Sequence, residues 1–462
     1  MAEDKFKAPV DSSHFPLPRL LRDIMPWFTR SGVAVLDQGL ISGSNFLISI
    51  LLARWLGPDQ YGAYALAFSI FVLLSLLYQA LLLEPMAVFG GSSYWHSLGG
   101  YLNTLLRLHL AIALLIAVAL GSGALLASHY SQSASLPGAF AGIAIAAPCI
   151  LLLWLVRRSF YLELSPYRAA AGSFVYCTLV SGGLWLSFRG GRISPFLAFL
   201  LMALAAMAAV CFLATQLKTS FLEKRKEFTV NGIWAKHWSY GRWALAGCFA
   251  SWIPAYIYYP LLSSLSGMAH AGELRALMNL ALPMEQIQAA LSLLFLPYAA
   301  RLYAASGPHS AGKFKTKLTL LSVGVAIGYW MVLILFRGPV FKFLYSGRYE
   351  GLVTLVPWVA VGSVFWSAVY GPAVVLRAME SPKSIFIAYG AASLVSVVIG
   401  IPATRYFGLA GGIWGINVSD ITSFAMVFWL LRSKLKLASD NRGVELHKGV
   451  ELNNLVARSI ES

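Results

Sequence analysis

The sequence predicts an all-α polytopic membrane protein, with about 12 transmembrane helices in two parallel six-helix lobes. Composition is the first of three observations behind this fold class. Of the 462 residues, 58% are hydrophobic, only 12% are charged, and the mean hydropathy is +0.69; soluble proteins carry roughly 25% charged residues. Apolar runs recur along the chain, and basic residues concentrate in alternate loops, which are the second and third observations.

The apolar runs define the predicted spans. A helix rises ~1.5 Å per residue, so a run of about 20 residues crosses a hydrocarbon core of ~30 Å. No short apolar core with a small-residue cleavage site precedes the first run, so we expect no removable signal peptide. The runs cover residues 33–53, 63–83, 106–127, 138–156, 169–187, 195–216, 243–265, 276–298, 318–336, 352–376, 384–402 and 408–431.

The distribution of charge predicts the orientation. The net charge of +16 comes from 35 Lys and Arg against 19 Asp and Glu. With the N-terminus inside, most basic residues fall in segments on that side, so the positive-inside rule predicts that both termini are cytoplasmic. The predicted regions are a cytoplasmic tail with an interfacial amphipathic helix (1–32), an N-lobe (33–216), a basic cytoplasmic linker (217–242), a C-lobe (243–431) and a poorly ordered cytoplasmic tail (432–462).

The first predicted span carries a polar stripe. Gln38, Ser42, Asn45 and Ser49 recur at helical spacing on one face, with Asp37 beside them. Because lipid offers no hydrogen-bonding partners, a polar helix face needs protein or water against it. We therefore expect this face to line a water-filled cavity.

The two halves of the chain resemble one another at their first turns. The sequence LGPDQYGAYAL follows span 1, and SGMAHAGELRAL follows span 7. Six spans per half place the halves in the same sense in the membrane, which indicates a parallel repeat with a substrate path between the lobes. The matched positions are Gly57 with Gly267, Gly62 with Gly272, and Leu66 with Leu277.

Acidic residues within the spans are candidates for function because ionisable groups are costly at that depth. Asp37, Glu285 and Asp420 are the three that we assign to ion coupling. The alternative is that each is hydrogen-bonded to a neighbouring helix and only ties the bundle together. Glu84, next to Pro85 at a helix end, better fits a solvated or capping role.

Other patterns have simpler explanations. Tyr256, Tyr258 and Tyr259 could stack on a sugar, but an aromatic belt at the membrane surface is the favoured interpretation. The segment Gly307–Lys313, GPHSAGK, looks like a phosphate loop. It is followed by Phe314 where Ser or Thr should hold Mg²⁺, and no strand precedes it. We reject a nucleotide site, and with it ATP-driven transport; the cysteines and other side chains predict neither a metal site nor a cofactor.

A polar first helix, the motif R-x-L-G-P-x-x-Y-G-x-Y-A-L at Arg54–Leu66, and twelve spans in two halves together support a resemblance. Over about residues 25–432 the chain resembles the polysaccharide flippases of the multidrug/oligosaccharidyl-lipid/polysaccharide (MOP) exporter superfamily. The resemblance implies a V-shaped transporter of the bacterial inner membrane. It would flip undecaprenyl-pyrophosphate-linked oligosaccharide for exopolysaccharide, O-antigen or capsule synthesis, driven by an ion or proton gradient. Expected partners are this lipid-linked oligosaccharide, membrane lipids, and the polymerase and other assembly proteins; nucleic acid is not expected.

Family cavities are often cationic, whereas the predicted span interiors here contain no Lys or Arg. The pyrophosphate would therefore contact arginines at helix ends, since the guanidinium fork suits phosphate oxygens. The residues that we assign to substrate binding are Arg30, Arg54, Arg242, Arg275, Gln38, Asn45 and Gln288.

Two other functions remain open. A multidrug or cation antiporter of the same superfamily would also have an acidic residue on helix 1, as Asp37 is here. A polytopic glycosyltransferase or polymer ligase, the one enzyme considered, usually needs a large external loop. The longest external loop predicted here, residues 337–351, is too short for that, so we expect no enzyme.

Reporter fusions test the predicted topology. Fusions after Arg22, within 224–236 and after Lys436 should all give cytoplasmic activity, because basic segments stay inside. A fusion at Ser131 should give periplasmic activity. Cytoplasmic activity at Ser131 would overturn the predicted number of spans.

Overall fold

The structure is a computed structural model that describes residues 17–217 and 228–460, with no β-strand in these ranges. Proline begins several helices because the first turn needs no N–H donor from it. Ser194 caps one of them by accepting from the Leu197 N–H at 3.2 Å. The helices of the first half are α1 (Leu17–Trp55), α2 (Pro58–Tyr78), α3 (Glu84–Gly91), α4 (Leu98–Tyr130), α5 (Leu136–Leu162), α6 (Pro166–Arg189) and α7 (Pro195–Ala214).

The second half is also helical, with sharper breaks. Gly307 (φ 74°) and Gly408 (φ 56°) interrupt two long helices, at backbone angles that glycine adopts without strain. The helices are α8 (Val230–Tyr256), α9 (Tyr258–Leu265), α10 (Met268–Asn279), α11 (Leu282–Leu335), α12 (Arg337–Tyr345), α13 (Val356–Ala378), α14 (Pro382–Val395) and α15 (Ile401–Ile460). Two π-helical turns (Gln79–Leu83, Ser396–Gly400) and two 3₁₀ turns (Trp95–Ser97, Glu350–Leu355) join them.

The membrane spans agree with the predicted fold class. In the described ranges, 9 helical segments are long and apolar enough to cross a membrane, and 10 if α8 and α9, bent by 46°, count as one. One of these segments, Lys383–Ala438, is broken at Gly408 and contains two predicted spans. Predicted span 276–298 is not one helix, since α10 ends at Asn279 and α11 begins at Leu282.

Two predictions about the ends of the chain need correction. The amphipathic segment before span 1 is not a separate helix, since α1 runs unbroken from Leu17 to Trp55. The tail after 432 is helical rather than irregular, because α15 continues to Ile460 with aliphatic residues at helical spacing. Within the predicted linker, residues 218–227 lie outside the described residues, and α8 begins soon after them.

The two halves meet at the turns that the sequence analysis matched. α2 packs on α10, and a Cβ on Gly272 would lie 2.8 Å from the Pro58 carbonyl oxygen and 2.9 Å from the Gly62 nitrogen. A Cβ on Gly62 would clash with the backbone carbonyl of Met268. The matched glycines are therefore adjacent in space, and only glycine permits this approach of the two backbones.

Candidate functional site

A buried hydrogen-bond network links the two halves beneath this glycine contact. Ser49 Oγ donates to Asn279 Oδ1 at 2.8 Å and lies 2.9 Å from the Tyr61 hydroxyl. Asn279 Nδ2 donates to the Tyr61 hydroxyl at 2.9 Å, and Arg275 Nε donates to Ser49 Oγ at 3.2 Å. We call these four residues the closing network, since they join α1 and α2 to α10.

The closing network corrects the prediction for the polar stripe. Ser49 is fully buried against the second half of the chain and so does not face water. Only the other end of the stripe, at Gln38, lines a cavity, while Asn45 is half-buried and lines none of the cavities described below. The two ends of the stripe therefore make different contacts: Ser49 packs against the second half of the chain, and Gln38 lines a cavity.

Arg275 lies between the closing network and a cavity of about 330 Å³, which we call the carboxylate cavity. The guanidinium lies over the Phe68 ring, 5.1 Å from its centroid, and the residue is 5% exposed. Two predicted coupling residues, Glu285 on α11 and Asp420 on α15, line the same cavity. Its aromatic walls are formed by Tyr256, Tyr259, Trp366 and Tyr389.

Close helix packing holds the α15 side of the carboxylate cavity. Asn417 and Asp420 lie one turn apart and face Gly362 of α13, where a Cβ would lie 3.0 Å from Asp420 Oδ2 and even closer to Asn417 Oδ1. Asn417 Nδ2 donates to the Trp358 carbonyl at 2.9 Å, which fixes the direction of its amide. The side-chain oxygens of Asn417 and Asp420 therefore lie together against Gly362, where a side chain would leave no room for them.

Gln288 lies one turn beyond Glu285 on α11 and is buried. Its Nε2 donates to Ser367 Oγ of α13 at 2.5 Å. Glu285 and Gln288 also line a second cavity of about 360 Å³ beside the carboxylate cavity, together with Arg377. Within the described residues, no three His, Cys, Asp or Glu side chains converge as a metal site would require.

A third cavity, of about 520 Å³, lies between the two halves, and we call it the arginine cavity. Arg157 and Arg158 line it from α5, and Gln38, Gln79 and Gln286 add amide groups from three other segments. The sequence analysis missed both arginines because it ended this span at residue 156. α5 instead continues to Leu162, and Arg157 is only 8% exposed. The prediction that no basic residue lies inside the bundle is wrong.

Asp37 neutralises one of these two arginines. Its Oδ2 accepts from Arg157 Nη2 at 2.6 Å and from the Tyr161 hydroxyl at 2.5 Å, while Ser173 donates to Oδ1. Asp37 itself is fully buried. Arg158 is exposed to the cavity and makes no hydrogen bond or ion pair with any described residue. The cavity therefore keeps the positive charge of Arg158.

The tyrosines at the junction of α8 and α9 contradict the interpretation that they form an aromatic belt at the membrane surface. Tyr258 and Tyr259 are 0% and 2% exposed, so they do not face a membrane surface. The bend between α8 and α9, near Pro254, turns this segment inward. Tyr259 and Tyr256 consequently line the carboxylate cavity, with their ring centroids 6.0 Å apart.

Arg54 and Arg242 lie away from the cavities described here. Arg54 is exposed, with Nη1 3.4 Å from the Phe343 carbonyl oxygen. Arg242 is exposed on α8 and lines none of the cavities described here. The Arg30 side chain lies outside the described residues. Of Arg54, Arg242 and Arg275, only Arg275 lines a cavity described here, and anion binding at all four predicted arginines stays a prediction.

Solved structures share this fold at low sequence identity. An inward-facing multidrug resistance MATE family transporter of the MOP superfamily aligns with TM-score 0.77 and 12% identity, covering 87% of this chain and 96% of that chain. An outward-facing MATE structure aligns with TM-score 0.63 and 13% identity, covering 89% and 96%. A MOP superfamily transporter from Pyrococcus furiosus, described as having a binding pocket of reverse polarity that suggests a different function, gives 0.65 and 14%, covering 89% and 96%.

No family model and no curated protein sequence matches the chain. The structural likeness establishes the fold. This chain has the two-lobe transporter fold of MATE proteins of the MOP superfamily, with six helices in each lobe. The predicted fold class is confirmed, and the polysaccharide flippase branch stays a prediction.

Replacing Asp37 tests the buried ion pair. Asp37→Asn should lower the unfolding free energy by roughly 3–5 kcal/mol, because it leaves the Arg157 charge buried without a counter-charge. Arg157→Gln in the same chain should recover most of that loss. The measurement is thermal unfolding of purified protein, with the exposed Asp59→Asn as control. Wild-type unfolding of the Asp37→Asn variant would show that the pair contributes nothing to stability.

Proposed function

We propose that the protein is an ion-coupled exporter that flips an oligosaccharide linked to an anionic polyprenyl lipid. The observation that carries the proposal is the arginine cavity. It lies between the lobes, as an alternating-access site must, and its net charge comes from Arg158. A guanidinium is suited to bidentate contact with phosphate oxygens.

The other polar groups of the arginine cavity fit the glycan part of such a substrate. Gln38, Gln79 and Gln286 each offer one acceptor and two donors, which can pair with sugar hydroxyls of either sense. Trp154 adds an aromatic face beside them. A ligand here would touch both lobes, so its binding would respond to their relative movement.

One helix connects this cavity with the candidate ion site. On α11, Glu285 faces the carboxylate cavity, and the next residue, Gln286, lines the arginine cavity. A change in the charge of Glu285 or Asp420 that moved α11 would therefore alter the arginine cavity directly. One proton crossing 100 mV supplies ~2.3 kcal/mol, which biases a two-state equilibrium about fifty-fold.

Asp37 remains a second candidate for the coupling proton. Its ion pair with Arg157 keeps the charge of that arginine from adding to the arginine cavity, so the pair affects how strongly the cavity attracts an anion.

The second candidate function is multidrug or organic-cation antiport. Two of the solved structures that share this fold are described as multidrug transporters, and this favours antiport over flipping. The carboxylate cavity supports it too, because Glu285, Asp420 and four aromatic rings could hold an aromatic cation. The two functions place the substrate in different cavities, and this makes them separable by mutation.

For either substrate, we propose a multi-pass protein of the bacterial inner membrane with both termini cytoplasmic. In the flippase reading, the polymerase and the other polysaccharide-assembly proteins would be its partners. Flanking glycosyltransferase and polymerase genes would support this reading, and a neighbouring efflux regulator would support antiport.

Arg158→Ala tests the proposal. Headgroup accessibility of a lipid-linked oligosaccharide is followed in vesicles of purified protein under an imposed proton gradient. The variant should flip at least tenfold more slowly, since a charge-assisted contact contributes roughly 1.5–3 kcal/mol. Arg158→Lys should recover part of the rate, and Arg192→Ala, an exposed arginine outside both cavities, should retain all of it.

Variants at Arg158 and at Glu285 together separate the two functions. An organic cation taken up in the carboxylate cavity should depend on Glu285 and not on Arg158. Wild-type flipping by Arg158→Ala would contradict the role given to Arg158. No flipping by the wild type above that of protein-free vesicles, together with cation export that is abolished by Glu285→Gln, would contradict the flippase proposal and favour antiport.

A further inference from the structure

A groove lies on the surface of the C-lobe where α11 folds back on itself at Gly307. Its volume is about 500 Å³, and both arms of α11 line it. Tyr298 and Phe295 come from the first arm, and Phe314 from the second packs against both, with ring centroids 5.1 and 6.0 Å apart. None of these residues lines the transport cavities described above.

Two lysines stand along one side of this groove. Lys313 and Lys317 lie one turn apart on the second arm, so they share one helix face. Both are exposed, and neither forms a hydrogen bond or an ion pair with a described residue. Lys315 differs from them, because its ammonium lies 4.7 Å from the centre of the Phe428 ring of α15. The groove thus has two free positive charges beside an aromatic wall.

The same helix face continues into an apolar surface. Leu321 follows Lys317 by one turn at 48% exposure and also lines the groove. Leu320 beside it, and Met331 and Val332 further along, are each more than half exposed, which is typical of a face in contact with lipid chains. The lysines therefore lie where this lipid-facing surface ends, at the level of the headgroups.

We propose that this groove binds a membrane phospholipid with an anionic headgroup. Lys313 and Lys317 hold the phosphate, and one acyl chain follows Phe314 and Leu321 towards the bilayer centre. Basic pockets between transmembrane helices on the cytoplasmic side are suited to such headgroups. The predicted topology places the Gly307 turn on that side. The site requires only a membrane protein and does not depend on which substrate is transported.

The apolar wall distinguishes a phospholipid from a free anion. A soluble phosphate would use the two lysines and leave the aromatic and leucine surfaces without a partner. A phospholipid uses both parts, because its phosphate and its first methylenes are joined at the same depth. The segment that looked like a phosphate loop, Gly307–Lys313, would thus contribute one lysine to lipid binding and no nucleotide contact.

Native mass spectrometry of the purified full chain tests the proposal. The protein is titrated in detergent with phosphatidylglycerol and with phosphatidylcholine of the same chains. The wild type should bind phosphatidylglycerol about thirtyfold more tightly, as two surface lysines contribute roughly 1 kcal/mol each. Lys313→Gln with Lys317→Gln should abolish this preference, and arginine at both positions should preserve it.

Two controls decide between the explanations. Lys383→Gln with Lys434→Gln removes the same charge from exposed C-lobe positions outside the groove, and it should keep the preference. Glycerol phosphate, which lacks acyl chains, should not compete at equal concentration. A preference unchanged in the Lys313/Lys317 double variant, a loss in the control variant as large as in the double variant, or full competition by glycerol phosphate would each overturn the proposal.

Discussion

The closing network of Ser49, Tyr61, Asn279 and Arg275 is the interaction on which the rest of the structure depends. Within an apolar bundle, a buried polar group costs free energy unless it has a hydrogen-bond partner. Here each of the four side chains forms a hydrogen bond with a residue of the other half. The approach of Gly62 to Gly272 brings the two halves close enough for these bonds. Three of these hydrogen bonds run between the halves, so separation of the lobes must break all three, while the Ser49–Tyr61 contact lies within one half.

This closure leaves two cavities with different charged groups on either side of α11. The carboxylate cavity contains Glu285 and Asp420, and the arginine cavity has Arg158 as its net charge. Arg275 belongs both to the closing network and to the carboxylate cavity. Charge changes in that cavity can therefore act on the contact between the lobes as well as on α11. The fold alone, which is shared with multidrug exporters, does not decide which cavity holds the substrate.

Sequence periodicity predicted much of this architecture, because long apolar runs and repeated turns depend on local order alone. It identified the matched glycines and both carboxylates of the carboxylate cavity. It could not predict contacts between distant segments: the burial of Ser49 depends on Asn279, and the Asp37 ion pair depends on α5 extending beyond its apolar run to Arg157. The inward tyrosines required the 46° bend, whose direction no hydropathy pattern encodes.

The most direct test of the account is a reversible cross-link through the closing network. Ser49→Cys and Asn279→Cys are combined in a chain whose 4 native cysteines are replaced by serine or alanine, and export is measured before and after oxidation. The two side chains are in contact, with Ser49 Oγ 2.8 Å from Asn279 Oδ1, and a disulfide formed between them on oxidation should abolish export, which reduction should restore. Export at an undiminished rate by the fully cross-linked protein would contradict alternating access through this contact.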